Sequence, residues 1–455
     1  MDDAPEDQGE YGLGPRRVAA ILEAAEQEDR GEVVALVAPL HPADLADLLE
    51  QIAPPDRERL VRALGPDLDG EVLSELDEGL REEVIGALDA EALAGAIRDL
   101  DSDDVVDLIE TLEEPRRAAI LEALERRDRY AVERALTYPE ESAGRLMQRE
   151  VTAVPEHFTV GQAIDWLREH DDLPEQFYHL ILVDPAWRPT GYVSLGRVLS
   201  ARRDVALRDI REESFRVIPA AQDEEEVAYA FNQYHLISAP VVGEDGRLVG
   251  VITIDDAMAV LSEENEEDLR RLAGVGDESL HDRTLEIVRL RAPWLAVNLV
   301  TAILASLVIS IFEDVIAAVV ALAVLMPIVA SMGGNAGTQS LTVAVRALAT
   351  KDLTGSNMWR VLRREIMASA INGLVFAVVI GAVGVVWFGS LDLGLVIAAA
   401  MVINLAVAGL AGFMVPVALD RLGFDPALAS GTFVTTVTDV VGFFAFLGLA
   451  AVVLL

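Results

Sequence analysis

Asp439 is the only ionisable side chain after Asp425, in the run DPALASGTFVTTVTDVVGFFAFLGLAAVVLL that closes the chain. About 30 residues at ~1.5 Å per residue span a hydrocarbon core of ~30 Å. Asp439 falls near mid-depth, where a bare carboxylate costs a few kcal/mol, so it must face protein or a water path. Thr432, Thr435, Thr436 and Thr438 supply hydroxyls and carbonyls close by. A carboxylate among oxygen donors, with no His or Cys near it, suits a hard cation. The competing reading is a protonated Asp hydrogen-bonded to a neighbouring helix.

A second group of acids lies far from this span. Asp103 and Asp107 are four apart and share a helix face, where unpaired they repel. Glu263, Glu264, Glu266, Glu267 and Asp268 crowd one amphipathic stretch that ends in Arg270, Arg271 and Gly274. The net charge is −40, and from position 291 onward eight acids meet seven bases, so almost all the charge sits on the first 290 residues. That balance disfavours nucleic acid and anionic lipid surfaces and favours bound cations. A solvated acidic surface is the alternative, and a chain whose only lysine is Lys351 shows a biased choice of charged residues. Cysteine is absent, which excludes disulfides and thiolate metal sites. No nucleophile–base constellation stands out, so an enzyme is not expected.

The elements that must position these groups follow in order. Residues 1–14 read as a disordered acidic tail without a signal peptide. From 15 to 138 apolar residues recur at helical spacing, and the segment from Pro42 repeats from Ser102 at an offset of 60, with Arg57 matching Arg117. Stacked short helices of this kind form an all-α superhelix, a regulatory or interaction unit. Residues 142–205 and 206–262 each carry a strand, a polar turn, a second strand and a helix. HLILVDPAWRPTGYVSLGRVLS aligns with APVVGEDGRLVGVITIDDAMAVLS at an offset of 59. This α/β pair resembles tandem CBS domains, which bind adenosyl nucleotides or ions. In that family an Asp three residues after the Ser/Thr contacts a ribose. The second copy keeps it in Thr253 and Asp256, so the resemblance places any ATP there; the first has Arg197 instead. Residues 263–290 read as an acidic connecting helix and linker, with an inert charged linker as the alternative.

Five apolar spans follow, near 292–312, 315–345, 366–388, 395–419 and 427–455. Basic residues precede the first span and fall between the second and third and between the fourth and fifth; the other connections have none. The positive-inside rule therefore puts the N-terminal domains in the cytoplasm and the C-terminus outside. In the second span, GGNAGTQ after Pro327 is too polar and flexible to face lipid. Two readings stand: irregular backbone beside a cavity, or close helix packing through Gly333-x-x-x-Gly337.

Together, GGNAGTQS followed by RALATKDL, DPAL fourteen residues before Asp439 in TDVVG, and the domain order resemble the MgtE family of magnesium channels over nearly the whole chain. The resemblance implies a homodimer in a bacterial inner membrane that conducts Mg²⁺ inward and closes when cytosolic Mg²⁺ is high. It makes Asp439 the pore carboxylate, lined by Gly334, Asn335, Thr338, Thr342 and Thr435. Regulatory ions would be held by Glu71, Asp103, Asp107, Asp223, Glu225, Asp256, Glu264, Glu267, Asp268 and Asp425. Thr338 stands where some members have Asn, and His235 and Ala259 stand where some carry an acid, which implies weaker or missing regulatory sites. Two other functions compete: a coupled divalent-cation transporter, and a membrane Mg²⁺ sensor that transports nothing. One intramembrane carboxylate and no paired inverted repeat argue against coupling.

Overall fold

The computed structural model describes residues 13–455 except 99, 111, 113, 125, 171–172, 175, 213–214, 277, 279–283 and 430. Most of the acidic tail expected at 1–14 thus lies outside the described residues. The chain divides into two compact units, Met1–Ser262 and Glu263–Leu455.

The first unit opens with stacked short helices: α1 (Pro15–Glu26), α2 (Arg30–Val37), α3 (Pro42–Gln51), α4 (Pro54–Leu64) and α5 (Glu71–Ser74). They continue as α6 (Glu78–Ala87), α7 (Ala90–Arg98), α8 (Ser102–Glu110), α9 (Glu114–Ala123) and α10 (Arg126–Ala135). One apolar core runs through the stack, from Ile21 past Leu49, Leu60 and Leu108 to Ile120 and Val132. A recurring arginine locks successive helices. Arg57 in α4 donates to the carbonyls of Leu49 (2.6 Å) and Ile52 (3.1 Å) at the end of α3, and pairs with Glu83 of α6 at 3.1 Å. Arg81 in α6 does the same for Ser74 (2.9 Å) and Leu76 (3.1 Å), and pairs with Asp107 of α8 at 2.7 Å. These side chains satisfy helix C-terminal carbonyls that would otherwise lack a donor.

Two three-stranded sheets follow. β1 (Ala153–Pro155), β2 (His179–Val183) and β3 (Pro189–Ser194) share a core with α12 (Val160–Glu169) and α13 (Leu195–Ser200), whereas α11 (Ala143–Leu146), which precedes them in the chain, packs on the second sheet. β4 (Ile218–Pro219), β5 (Ser238–Val242) and β6 (Leu248–Thr253) accompany α14 (Glu224–Tyr234) and α15 (Ile254–Ala273). The offset of 59 recurs in the pairing: His179 faces Ser194 as Ser238 faces Thr253, and the bulge after Leu182 has its twin after Val241. The equivalent residues His179 and Ser238 touch, Nδ1 to Oγ at 2.8 Å.

The second unit holds five helices long and apolar enough to cross a membrane: α16 (Thr284–Ile311), α18 (Ala321–Ala349), α19 (Met358–Phe388), α20 (Leu391–Arg421) and α21 (Gly431–Val453). A short α17 (Glu313–Ala318) separates the first two. The fold is thus multidomain: an all-α superhelix, an α/β tandem CBS pair and five transmembrane helices. The second span departs from one of its two expectations. α18 is continuous through GGNAGTQ, so the glycines serve close packing rather than a broken backbone. A Cβ on Gly333 would stand 2.3 Å from Nδ2 of Asn404, and one on Gly412 would stand 2.4 Å from the Gly337 carbonyl.

Candidate ion path and regulatory carboxylates

α18 and α21 are in direct contact and run antiparallel at their contact. A Cβ on Gly334 would meet Thr435 Cγ2 at 2.8 Å, and one on Gly431 would meet Thr338 Oγ1 at 3.5 Å. Position 334 therefore pairs with 435 and 338 with 431. That register puts Asp439 one turn beyond Thr435, level with Ala330 and next to Ser331. Thr342 lies two turns the other way from Gly334, about 12 Å at the helical rise. The expected pore residues lie on α18 and α21 but are spread along these helices rather than gathered at a point.

The two faces of α18 differ. Gly333, Gly337, Ser340, Leu341 and Ala344 are buried. Ser331, Asn335, Thr338, Gln339 and Thr342 are exposed on the other side. The threonine hydroxyls there donate back along α18, Thr338 to Gly334 O and Thr342 to Thr338 O, both at 3.0 Å; on α21 Thr435 does the same to Thr432 O at 3.1 Å. With the proton used, the hydroxyl oxygens are left as acceptors, the role a cation or its water needs.

One residue that sequence reasoning passed over holds this arrangement. Asn404 of α20 is fully buried and donates from Nδ2 to Val329 O at 2.8 Å. Gly333 and Gly442 make room for it, since a Cβ on either would come within 2.7 Å of its amide. The signal was a lone amide in the apolar run MVINLAV, the kind of polar group that joins helices in lipid.

In the first unit, α8 presents its acids to Asp256. Burial and then the facing Asp256 hold the Asp103 carboxyl well above the ordinary carboxylate range. The same causes push Asp104 up to about 7, with smaller contributions from Asp101, Asp107 and Glu71. Asp256 rises to about 6 through burial, against the opposing hydrogen bond from Thr253 Oγ1 at 2.5 Å. Glu71, Asp103, Asp107 and Asp256 thus share one electrostatic neighbourhood, and Asp101 and Asp104 join it unforeseen. The sequence signal for those two was the density of LDSDDVVD itself. Asp107 is not left to repel Asp103, because Arg81 pairs with it. Ser102 and Glu150 tie α8 to the strand region, Oγ to Oε2 at 2.9 Å.

The other expected regulatory residues lie elsewhere. Asp223 caps α14, accepting from the Glu225 backbone N–H at 3.1 Å, and both side chains are exposed. Glu264, Glu267 and Asp268 are half-buried on α15. Arg271 pairs with both Glu267 and Asp425, and Asp425 Oδ1 also accepts from the Ala427 N–H at 2.7 Å. Among the described residues no three His, Cys, Asp or Glu side chains stand in metal-binding geometry. In the first CBS copy Arg197 pairs with Glu212 at 3.1 Å, and Ser194 donates to that carboxylate at 3.1 Å. Glu212 thus takes the place that Asp256 has beside Thr253 in the second copy.

Comparison with known proteins agrees with this organisation. Residues 326–449 match the family model described as a divalent cation transporter, 40–141 the MgtE intracellular N domain, and 207–263 the CBS domain. The magnesium transporter MgtE of Bacillus subtilis is 33% identical over 316 residues, 69% of this chain and 70% of that protein. That of Thermus thermophilus is 36% identical over 326 residues, 71% and 72% respectively. A crystal structure of the cytosolic domain of the Mg²⁺ channel MgtE in complex with ATP superposes with a TM-score of 0.50 at 29% identity, covering 53% of this chain and 99% of that one. Such proteins are transporters, not enzymes; this chain is an integral membrane protein with cytosolic N-terminal domains and belongs to the MgtE family of magnesium transporters.

Proposed function

We propose that two copies of this chain form a Mg²⁺ channel in the bacterial inner membrane, with the C-terminus outside, closed by cytosolic Mg²⁺ bound to the acidic regions. The observation that carries the reading is the polar face of α18. Ser331, Asn335, Thr338, Gln339 and Thr342 are exposed in a single chain and form a polar row at a depth where lipid would not solvate it. A second copy about a two-fold axis would cover that face and bring two Asp439 carboxylates to one path. Mg²⁺ gives up water reluctantly, so a wide path of carboxylates, hydroxyl acceptors and carbonyls fits it better than a tight cage.

Asp439, Thr435, Gly334, Asn335, Thr338 and Thr342 would pass the ion in this scheme. The carboxylates facing each other around α8 and Asp256, with Glu264 and Asp268 of α15, would bind the closing ions, while Glu267 and Asp425 are engaged by Arg271. Asp223 and Glu225 would add an exposed site. ATP, if bound, belongs at Thr253 and Asp256, since Arg197 and Glu212 occupy the matching position of the first copy. Mg²⁺ influx into liposomes loaded with a Mg²⁺ dye tests the scheme. Asp439→Ala should reduce flux at least tenfold while the dimer still assembles. Wild-type flux in that variant would remove Asp439 from the path. Flux that runs only against a second ion's gradient would favour a coupled transporter, and no flux in the wild type would leave a sensor.

A further inference from the structure

We propose that Arg271 is a tethered cation that latches the connecting helix onto the membrane unit, standing where a Mg²⁺ would otherwise bridge Glu267 and Asp425. The functional consequence rests on the Mg²⁺-gated reading above; the geometry lies wholly within the second unit. Arg271 is in the last turn of α15, and its guanidinium pairs with Glu267 one turn earlier and with Asp425 before α21. Asp425 is held from the other side by the Ala427 N–H, so its orientation is fixed. The next residue, Leu272, packs against the apolar cluster of Leu341, Val345, Ala411, Ala427 and Val434. The ion triad is therefore the polar rim of an apolar seat formed by α18, α20 and α21.

A guanidinium has five donors and no acceptor, and two carboxylates can share it. It does here what a divalent ion does, which is to let two like charges approach. It differs in being covalently attached, so its effective concentration at the site does not follow the Mg²⁺ level of the cytosol. A free Mg²⁺ reaches Glu267 and Asp425 together only by displacing it. The consequence is a connecting helix that stays seated at low Mg²⁺. The Mg²⁺ response then depends on the remaining acids rather than on this pair.

Hydrogen exchange on the full chain in lipid nanodiscs tests the latch through the amides of 263–273. In the wild type with EDTA these amides should be protected, and millimolar Mg²⁺ should change them little. Arg271→Gln should leave two facing carboxylates, and exchange in EDTA should rise at least about threefold, the scale of a half-exposed ion pair. Millimolar Mg²⁺ should then restore protection, because an ion can take the vacated place. Arg271→Gln with Asp425→Asn should recover protection in EDTA and lose the Mg²⁺ effect, while Arg271→Lys should fall between wild type and Arg271→Gln. Unchanged exchange in 321–349 reports an intact membrane unit. Wild-type exchange in Arg271→Gln, or loosening that Mg²⁺ does not reverse, would overturn the proposal. A wild type that conducts no Mg²⁺ in liposomes overturns the channel reading and leaves the exchange result standing. A conducting wild type with an unaltered Arg271→Gln overturns the latch alone.

Discussion

A carboxyl group can be read as a ligand or as a titrating group, and Asp104 and Asp256 show both. Burial and facing acids push them up to about 7 and about 6 from an ordinary value of 3.8. A raised carboxyl pKa means that the folded state favours the neutral form. The contribution to stability is complete below pH 4 and is lost as pH rises through 6 to 7, by up to about 1.4 kcal/mol per pH unit for each group. Without Mg²⁺, the contact of α8 with the start of α15 should therefore loosen between pH 5 and pH 8. Mg²⁺ binds the ionised form, so it should tighten the contact at pH 8 and do little at pH 5. Hydrogen exchange of α8 in the full chain, across pH with and without Mg²⁺ and corrected for intrinsic rates, measures this. A Mg²⁺ effect equal at both pH values would count against these acids as ion ligands.

At the scale of the element, glycine decides how closely α18, α20 and α21 approach. A Cβ at Gly412 would press on the Gly337 carbonyl, which is backbone and cannot turn away. Gly412→Ala should force α18 and α20 apart, at a cost of about 1–3 kcal/mol or more. It should lower thermal stability in detergent and disturb Mg²⁺ flux without touching any polar residue of the path. Gly431→Ala is the contrast, since its Cβ would meet only Thr338 Oγ1 at 3.5 Å, an ordinary contact. Equal stability of the two variants would show that the helices have slack the geometry does not suggest. The arginines of the superhelix work at the same scale. Arg57 closes α3 through the carbonyls of Leu49 and Ile52, and its repeat equivalent Arg117 donates to the Glu110 carbonyl at 3.4 Å at the end of α8, which is why that position of the 60-residue repeat carries arginine rather than any long polar side chain.

For the whole molecule, the charge on the first 290 residues has to be neutralised when acidic surfaces meet. Salt at 0.15 M screens beyond ~8 Å but does little for groups in contact. Millimolar Mg²⁺ should make residues 15–270 of the full chain more resistant to protease, and NaCl at equal ionic strength should not. Equal protection by the two salts would reduce the acids to a solvated surface. His235 and Ala259 lack the carboxylates that the family pattern places there in some members, so the protecting concentration should be higher here than in relatives that have both.

Much of the molecule was legible in the chain alone, because the signals were periodic or compositional. Five apolar runs, basic residues on alternate connections, and offsets of 60 and 59 needed no coordinates, and the second offset returns as strand register and bulge. Asp439 stood out because a charge in an apolar span has few explanations. What only the tertiary structure decided depends on partners distant in sequence. The continuity of α18 through its glycines follows from Asn404 and the backbone of α20 filling the space a side chain would need. The spread of the proposed path residues follows from the antiparallel register of α18 and α21, and Thr342 cannot be placed without it. Periodicity puts Asp103 and Asp107 on one face, but it could not tell that Arg81 takes Asp107 while Asp103 meets Asp256. Nor could it tell that Arg271 joins Glu267 to Asp425. A carboxylate in a sequence is only a charge, and whether it becomes a cap, an ion pair or a ligand is settled by what the fold brings within reach of it.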